Sequence, residues 1–371
     1  MDSEVLSAFR ETARQFARRE VKPMVGTEGR DGRLDQLDRV LAGAGEAGLL
    51  ASGASETPDH EHCVWGIASR RSPRASLAVL EEVARECAGV ATCLHAAGLG
   101  LFEARAGAVP GPTAVALLSD DWLLDWASID SPPEGAVRLL ASGDGDSLRL
   151  DGEASFVLCA PPCQSVVVYA ALGSNWHRVA LPLDTPGIRS RPVGERCGLA
   201  ALEVLHVTFD EVRVLGDRLL HPRSPRPFLR RLMLGLSAVA LGNARAALDG
   251  ARSYAATRYQ GGALIERQPA VQLLLGESAT RLAAAAAFLG RAAKDEGDDA
   301  EACWRAFAAK HRVVGDCCDA VTDCLQVLGG YGYMEDYRLE KRLRDALTLK
   351  SLAVRPDVLR RLCAERVGGE P

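Results

Sequence analysis

The residues best suited to chemistry lie near the C-terminal end, where three glycines occur within four positions. Gly329, Gly330 and Gly332 follow a long amphipathic segment, and Gln326 precedes them. Glycine can end a helix in the left-handed conformation, and it also lets the backbone approach a ligand so closely that free N–H groups bind a phosphate. The local pattern therefore permits either a plain turn between two helices or a phosphate-binding turn.

A longer pattern around these glycines favours phosphate binding. The string Gln326-x-x-Gly-Gly-x-Gly-Tyr, with Glu340-Lys341 and Arg344-Asp345 after it, resembles the C-terminal signature of the flavin-dependent acyl-CoA dehydrogenases. The resemblance implies that Gln326 and the glycines hold the pyrophosphate of an FAD that belongs to a neighbouring subunit. It therefore implies FAD as the cofactor and a homodimer or tetramer as the assembly.

A second stretch, Tyr254-x-x-x-Arg258-x-Gln260 with Gln268 after it, is similar to the family's loop in which an arginine meets the pyrophosphate. Guanidinium suits this role because its planar fork makes paired hydrogen bonds to phosphate oxygens. The alternative is that Arg258 is a solvated helix residue.

The resemblance also implies contacts around the flavin ring. The segment Phe156-Val157-Leu158 stands where the family has an aromatic-Ile-Thr segment, so Phe156 would cover the ring while Leu158 has no hydroxyl to offer. Ser128 and Ser131 keep hydroxyls in the region of the preceding flavin loop. Arg355, which replaces a threonine of the family, is the last candidate for cofactor binding.

The usual catalytic base of the family is missing from both of its positions. Ordinary members remove the substrate's α-proton with a glutamate, which must lie within hydrogen-bond distance of that proton. Counted from Gly329 and Arg344-Asp345, this position falls at Ala353, and in another branch of the family it falls at Leu232. Neither side chain accepts a proton, so the sequence leaves the catalytic residue unknown.

Four interpretations of the missing base are open. In the first, the chain oxidises an alcohol or aldehyde carbon of a substrate tethered to acyl carrier protein. The short chain and degenerate flavin loops look similar to a branch that takes part in converting glyceryl-carrier protein to hydroxymalonyl-carrier protein for methoxymalonyl polyketide extender units. The others are a flavin monooxygenase, a non-catalytic relative that acts as an interaction protein, and a conventional acyl-CoA dehydrogenase with a displaced base. The sequence does not identify the acyl group or the electron acceptor. It also does not decide whether the acyl group is attached to carrier protein or to CoA.

An arginine-rich segment precedes the C-terminal helices and includes Arg223, Arg226, Arg230 and Arg231. Several fixed positive charges would speed and orient an encounter with an acidic carrier protein, with an effect that salt screens. We therefore predict a docking patch here, with a solvated interdomain linker as the alternative.

The elements that must position these residues fall into three segments. Residues 1–112 are predicted to be helical, with a helix ending near Gly89 and a boundary at Pro110–Pro112. Residues 113–226 contain short β-like runs, interrupted by turn residues such as Asp151-Gly152. Residues 227–371 are helical again and carry an apolar stripe, formed by Trp304, Phe307, His311, Val314, Cys318, Val321, Leu325 and Leu328. We predict an α+β fold with an N-terminal helical domain, a small β-barrel-like domain and a C-terminal four-helix bundle, which is the family's order.

The composition narrows the classes of partner. The 371-residue chain has a formal net charge of −5, which gives no electrostatic case for nucleic acid. No run of 18 or more residues is entirely apolar, so we expect no transmembrane helix. Eleven cysteines without paired Cys-x-x-Cys spacing favour reduced thiols in a cytoplasmic protein over a disulfide framework or a zinc site.

Overall fold

The chain forms helices, then one mixed sheet, then helices again, which confirms the predicted α+β class. The computed structural model describes residues 3–25, 37–50, 64–65, 73–103, 113–116, 126–134, 138–144, 147–160, 163–215, 219–220, 224–294, 297 and 299–366. The predicted boundary at Pro110–Pro112 lies outside these residues. The cysteines within them are all free thiols.

Within the described residues, four α-helices precede the sheet: α1 (Ser3–Phe16), α2 (Leu37–Glu46), α3 (Arg74–Glu86) and α4 (Ala88–Glu103). The predicted helix end near Gly89 falls at Glu86, and Gly89 itself lies inside α4. A Cβ at Gly89 would lie 3.2 Å from the Cβ of Ala201. This glycine therefore permits close packing and does not end a helix.

A short helix, α5 (Ala127–Asp130), and an eight-stranded sheet form the middle of the chain. The sheet has the order β6-β7-β3-β1-β4-β5-β8, and β2 pairs with both β3 and β4. Its strands are β1 (Thr113–Ala116), β2 (Leu139–Asp144), β3 (Ser147–Cys159), β4 (Ser165–Leu172), β5 (Asn175–Pro182), β6 (Ile188–Pro192), β7 (Glu203–Leu215) and β8 (Leu219–Leu220). Among the described strands, only β1–β4 and β2–β4 pair in parallel.

Strand β3 crosses the predicted turn at Asp151-Gly152, so that prediction is wrong. Gly152 has a φ of +124° and the register with β7 shifts there, which are the marks of a β-bulge. A Cβ on Gly152 would lie 1.9 Å from the carbonyl oxygen of Arg138. The glycine therefore allows a close approach of two strands where the pattern suggested a chain reversal.

Helices α6 (Arg226–Ala255), α7 (Pro269–Ala292), α8 (Ala300–Leu328) and α9 (Leu339–Ser351) pack together after the sheet, and α10 (Pro356–Glu365) packs on α8. A two-stranded hairpin of β9 (Tyr259–Gln260) and β10 (Ala263–Leu264) separates α6 from α7. The predicted stripe lies on α8, where Phe307, Val314 and Val321 are fully buried. His311 is only half buried.

Helix α7 is the most exposed helix of this bundle and is long and apolar enough to cross a membrane by length and composition alone. It nevertheless packs on α8 through one buried face that includes Leu282, Ala285 and Leu289. Arg281 pairs with Glu277 on the same helix and with Asp319 on α8. These contacts are those of a bundle helix with one uncovered face.

Candidate functional site

The glycine turn ends α8 as predicted and presents an open backbone. Gly329 has a φ of +55°, and its N–H donates to the carbonyl oxygen of Gln326. Among the described residues, no atom lies within 4 Å of a Cβ built on Gly329 or Gly330, whereas a Cβ on Gly332 would lie 2.5 Å from the carbonyl oxygen of Leu325. The fold thus requires glycine at position 332. At position 330 the backbone has an ordinary φ and nothing within the chain requires glycine.

Arg258 and the glycine turn come together although they lie on different elements. The guanidinium carbon of Arg258 lies 5.3 Å from the ring centroid of Tyr331, within the turn. Tyr331 also packs on Tyr254 and Tyr337, with ring centroids 6.2 and 5.6 Å away. The aromatic contacts hold the end of α6 against the end of α8.

This region fits a pyrophosphate group. The Nε of Arg258 is buried and has no hydrogen-bond partner among the described residues. A charged donor left without an acceptor is costly in a folded protein, and an anion would relieve that cost. The open backbone of Gly329 and Gly330 leaves room for such an anion, and the side chain of Gln326 is exposed on the preceding turn of α8.

Gln268 belongs to the same region but serves the chain itself. Its Nε2 donates to the carbonyl oxygen of Gln260 at 2.8 Å, and its own carbonyl oxygen accepts from the first turn of α7. It therefore fixes the hairpin that follows Arg258.

The predicted flavin-ring segment lies in β3 at an irregular point. Phe156 has a φ of +57° and is 49 % exposed, beside a register shift between Ala154 and Val157. Val157 and Leu158 are fully buried on opposite sides, in the core of the sheet and in the helical core respectively. Phe156 is thus the side chain of this segment that a ligand can reach.

The two serines of the predicted flavin loop lie beside α5. Ser128 is buried on that helix. Ser131 donates through Oγ to the carbonyl oxygen of Ser174 at 2.9 Å, in the hairpin between β4 and β5. The hydroxyl of Ser131 therefore holds two parts of the sheet domain together.

Ala353, at the expected position of the family's base, is the centre of a strained turn. Its φ is +73°, and the N–H of Val354 donates to the carbonyl oxygen of Leu352 at 3.1 Å. A positive φ in a non-glycine residue costs roughly 1–3 kcal/mol and persists where the surroundings enforce it, often at functional sites. Leu352 and Val354 are buried and anchor the turn. Arg355, next in the chain, is exposed and pairs with Asp357.

The predicted docking patch is contradicted by the burial of its arginines. Arg230 and Arg231 are 2 % and 8 % exposed, and Arg231 lies over the ring of Phe102. Arg226 donates through Nε to Asp130 at 2.6 Å, an ion pair that holds the pKa of Asp130 below its usual range. Arg226 contacts Asp130 of α5 and Arg231 contacts Phe102 of α4, so these arginines form no exposed cluster for a partner within the described residues. Arg223 lies outside the described residues.

Two further polar groups, Glu103 and His95, are buried in the structure. The carboxylate of Glu103 is fully buried and accepts from the hydroxyl of Tyr169 at 2.8 Å and from Arg178 at 2.6 Å. The Nε2 of His95 lies 3.3 Å from the carbonyl oxygen of Leu232, the second position that the sequence analysis considered for the base. A charged residue at the end of an apolar helix was the available signal for Glu103.

His95 should make stability depend on pH. Burial lowers its pKa to about 4 from 6.5, so the unfolded chain binds the extra proton as the pH falls between these values. Stability is therefore present above pH 6.5 and lost towards pH 4, by about 3 kcal/mol for this group. We expect chemical unfolding of the wild type and of His95→Phe, at several pH values, to give free-energy curves that converge as the pH falls. Parallel curves would contradict this assignment.

Comparison with known proteins gives consistent matches along the chain. The family model described as "Acyl-CoA dehydrogenase, N-terminal domain" matches residues 3–104, and the one described as "Acyl-CoA dehydrogenase, C-terminal domain" matches residues 229–368. Together they span more than half of the chain.

One relative and two solved structures illustrate the similarity. The mitochondrial short-chain specific acyl-CoA dehydrogenase of Bos taurus is 25 % identical over 359 residues, covering 91 % of this chain and 84 % of the relative. A glutaryl-CoA dehydrogenase of Mycobacterium smegmatis in complex with FADH2 superposes with a TM-score of 0.81 at 18 % identity, covering 100 % of this chain and 96 % of the other. The prolyl acyl carrier protein oxidase AnaB superposes with a TM-score of 0.82 at 18 % identity, covering 100 % of both chains.

Proposed function

Because the chain belongs to the acyl-CoA dehydrogenase family, we propose that its substrate is an acyl thioester carried by an acyl carrier protein. The family assignment makes the protein an FAD-dependent oxidoreductase that acts on acyl thioesters. The carrier, the acyl group and the assembly are the parts that we propose.

We assign the cofactor contacts to the place where the ends of α6 and α8 meet and to the bulge of β3. Arg258, Gln326 and the backbone of Gly329 and Gly330 would hold the pyrophosphate, while Phe156 would lie against the ring. FAD supplies a hydride acceptor. The residues of the protein would then orient the substrate and hold or move the proton that the substrate loses.

The observation that carries the proposal is the turn at Ala353. Its side chain accepts no proton, and Leu232, at the other usual base position, is a fully buried leucine. Oxidation at an alcohol or aldehyde carbon needs no removal of a weakly acidic α-proton, so it is compatible with both residues. We therefore propose a hydroxylated acyl group of the glyceryl type, oxidised towards hydroxymalonyl-carrier protein for methoxymalonyl polyketide units.

The resemblance of the fold to AnaB supports a carrier-bound substrate, because AnaB is a prolyl acyl carrier protein oxidase. A carrier protein delivers its acyl group on a long flexible arm. The likeness in fold to AnaB therefore supports the proposal that this chain receives its substrate in the same way.

Mass spectrometry of the thioester tests this function. We expect purified protein with FAD to remove two hydrogen atoms from a glyceryl group bound to carrier protein, and to act much more slowly on saturated acyl-CoA. Efficient α,β-dehydrogenation of saturated acyl-CoA would overturn the proposal in favour of a conventional dehydrogenase. Product that contains an oxygen atom from molecular oxygen would instead favour a monooxygenase.

We further propose that the uncovered face of α7 binds a second copy of the chain. Leu273 is 74 % exposed on this face, among exposed small residues that include Ala283, Ala284 and Ala287. Exposed apolar side chains on an uncovered helix face are typical of an interface. The adjoining hairpin carries the Arg258 loop, so the interface would bring that loop towards the partner's cofactor.

The change Leu273→Glu should therefore separate the subunits and lower the flavin content. A charge placed in an apolar interface must be desolvated without a partner, which is unfavourable by several kcal/mol. The matched control is Leu215→Glu, at a leucine that is 65 % exposed on β7. Light scattering should show a smaller species for Leu273→Glu only. An unchanged mass for both variants would exclude this face from the interface.

A further inference from the structure

A cavity lined by several charged side chains lies between α8, α9 and α10, and none of the assigned cofactor residues lines it. Its volume is about 300 Å³. Helix α8 contributes Lys310, His311, Arg312, Asp316 and Asp319, while α9 contributes Lys350 and α10 contributes Arg360. The apolar part of its wall comes from Val314, Pro356 and Leu359.

The charges around this cavity do not balance within the chain. The carboxylate of Asp316 pairs with Arg312 at 2.9 Å, and that of Asp319 pairs with Arg281 at 3.3 Å. Both acidic groups are thus already matched by arginines. Lys350 and Arg360 make no side-chain hydrogen bond or ion pair with the residues that the structure describes, so the cavity carries excess positive charge.

Lys310 adds a fixed charge to this excess. It is 1 % exposed, and its Nζ donates to the carbonyl oxygens of Leu349 and Lys350 at 2.8 and 3.3 Å. These contacts hold its ammonium group at the end of α9, where cations are favoured by the helix dipole. The lysine therefore cannot swing into solvent as a surface lysine does.

The pKa of His311 reflects the positive charge around this cavity. Its pKa lies below the ordinary value because burial disfavours the imidazolium, and because Arg360, Arg312, Lys310 and Lys350 repel its charge. The ring is therefore neutral at neutral pH and offers one N–H donor and one acceptor. A cavity with several cations and a neutral donor suits a compact anion with several acceptor oxygens.

We propose that this cavity binds a small phosphate-bearing anion, held mainly by Lys350 and Arg360. A phosphate group offers oxygen acceptors in several directions, which matches cations that come from three helices. Arginine and lysine are the side chains commonly used for phosphate recognition. The volume admits a phosphate with a small organic group, since one water occupies about 30 Å³. The site is independent of the proposed substrate and of the cofactor contacts.

Calorimetry with inorganic phosphate on the FAD-loaded protein tests this site. We expect saturable binding to the wild type, and about tenfold or more weaker binding to the Lys350→Ala/Arg360→Ala double variant, since charge-assisted hydrogen bonds are lost. The matched control is Arg213→Ala, an exposed arginine on β7 that should bind phosphate as the wild type does. If the double variant fails to fold, Arg360→Gln alone should still weaken binding.

Binding measurements with other anions identify the class of ligand. A phosphate monoester such as glycerol phosphate should bind at least as tightly as phosphate, whereas succinate and chloride at matched ionic strength should bind much more weakly. Flavin content should be the same in every variant. Equal affinity for phosphate in the wild type and in the Lys350 and Arg360 variants would overturn the proposal. Equal affinity for succinate, or displacement of FAD by phosphate, would do so too.

Discussion

Replacing Gly330 with leucine should lower the affinity for FAD by about tenfold or more while leaving the fold intact. The backbone at this position is exposed, has an ordinary φ, and has no atom within 4 Å of a built Cβ. A side chain there meets nothing in the chain but blocks the close approach of a phosphate to the backbone. The loss of one charge-assisted hydrogen bond is worth about 1.5–3 kcal/mol, which sets the expected factor.

Gly332 provides the contrast for this experiment. A Cβ at Gly332 would lie 2.5 Å from the carbonyl oxygen of Leu325, so Gly332→Leu should destabilise the protein itself. Flavin absorbance per subunit and chemical unfolding would be measured for both variants. Loss of stability in Gly330→Leu, or normal flavin affinity in it, would count against a cofactor role for the turn.

Glu103→Leu should destabilise the protein by about 3–5 kcal/mol, which is the usual cost of removing one partner of a buried ion pair. The change leaves the charge of Arg178, whose side chain is 12 % exposed, without its carboxylate. It also removes the acceptor for the buried hydroxyl of Tyr169. Denaturant unfolding of wild type and variant gives the difference directly.

The control for Glu103 is an exposed ion pair of the same type. Arg138 and Glu153 are 2.7 Å apart with side chains 53 % and 32 % exposed, so Glu153→Leu should cost no more than about 1 kcal/mol through the loss of that pair. The double change Glu103→Leu/Arg178→Leu should recover part of the loss, because no unpaired charge then remains. A double variant as unstable as Glu103→Leu would mean that packing, and not the charge, sets the cost.

The order of helices and strands was accessible from the sequence because it depends on local periodicity. The apolar stripe on α8 recurs at helical spacing, and Phe307, Val314 and Val321 on it are buried as that spacing predicts. The turn at Gly152 was predicted wrongly for a local reason too. Glycine marks turns and bulges alike, and only the strand opposite distinguishes them.

The site was less accessible, because it depends on contacts between distant parts of the chain. Arg230 and Arg231 have the composition of a docking patch, yet they are buried against residues that no spacing rule connects to them. The contact between Arg258 and Tyr331 is likewise tertiary. Residue propensities do not predict the positive φ of Ala353 and of Phe156, because neither residue type favours a positive φ.

The most direct test of the central claim is to mix the protein with substrate in the absence of oxygen. The absorbance of the bound flavin then shows whether the substrate reduces it. We expect a hydroxyacyl group on carrier protein to bleach the flavin of the wild type, and saturated acyl-CoA to leave it oxidised. Ala353→Glu supplies the carboxylate that the turn lacks, so it should retain flavin and gain slow bleaching with saturated acyl-CoA. If saturated acyl-CoA bleached the wild-type flavin as fast as the hydroxyacyl-carrier protein, the account of a site without the usual base would be contradicted.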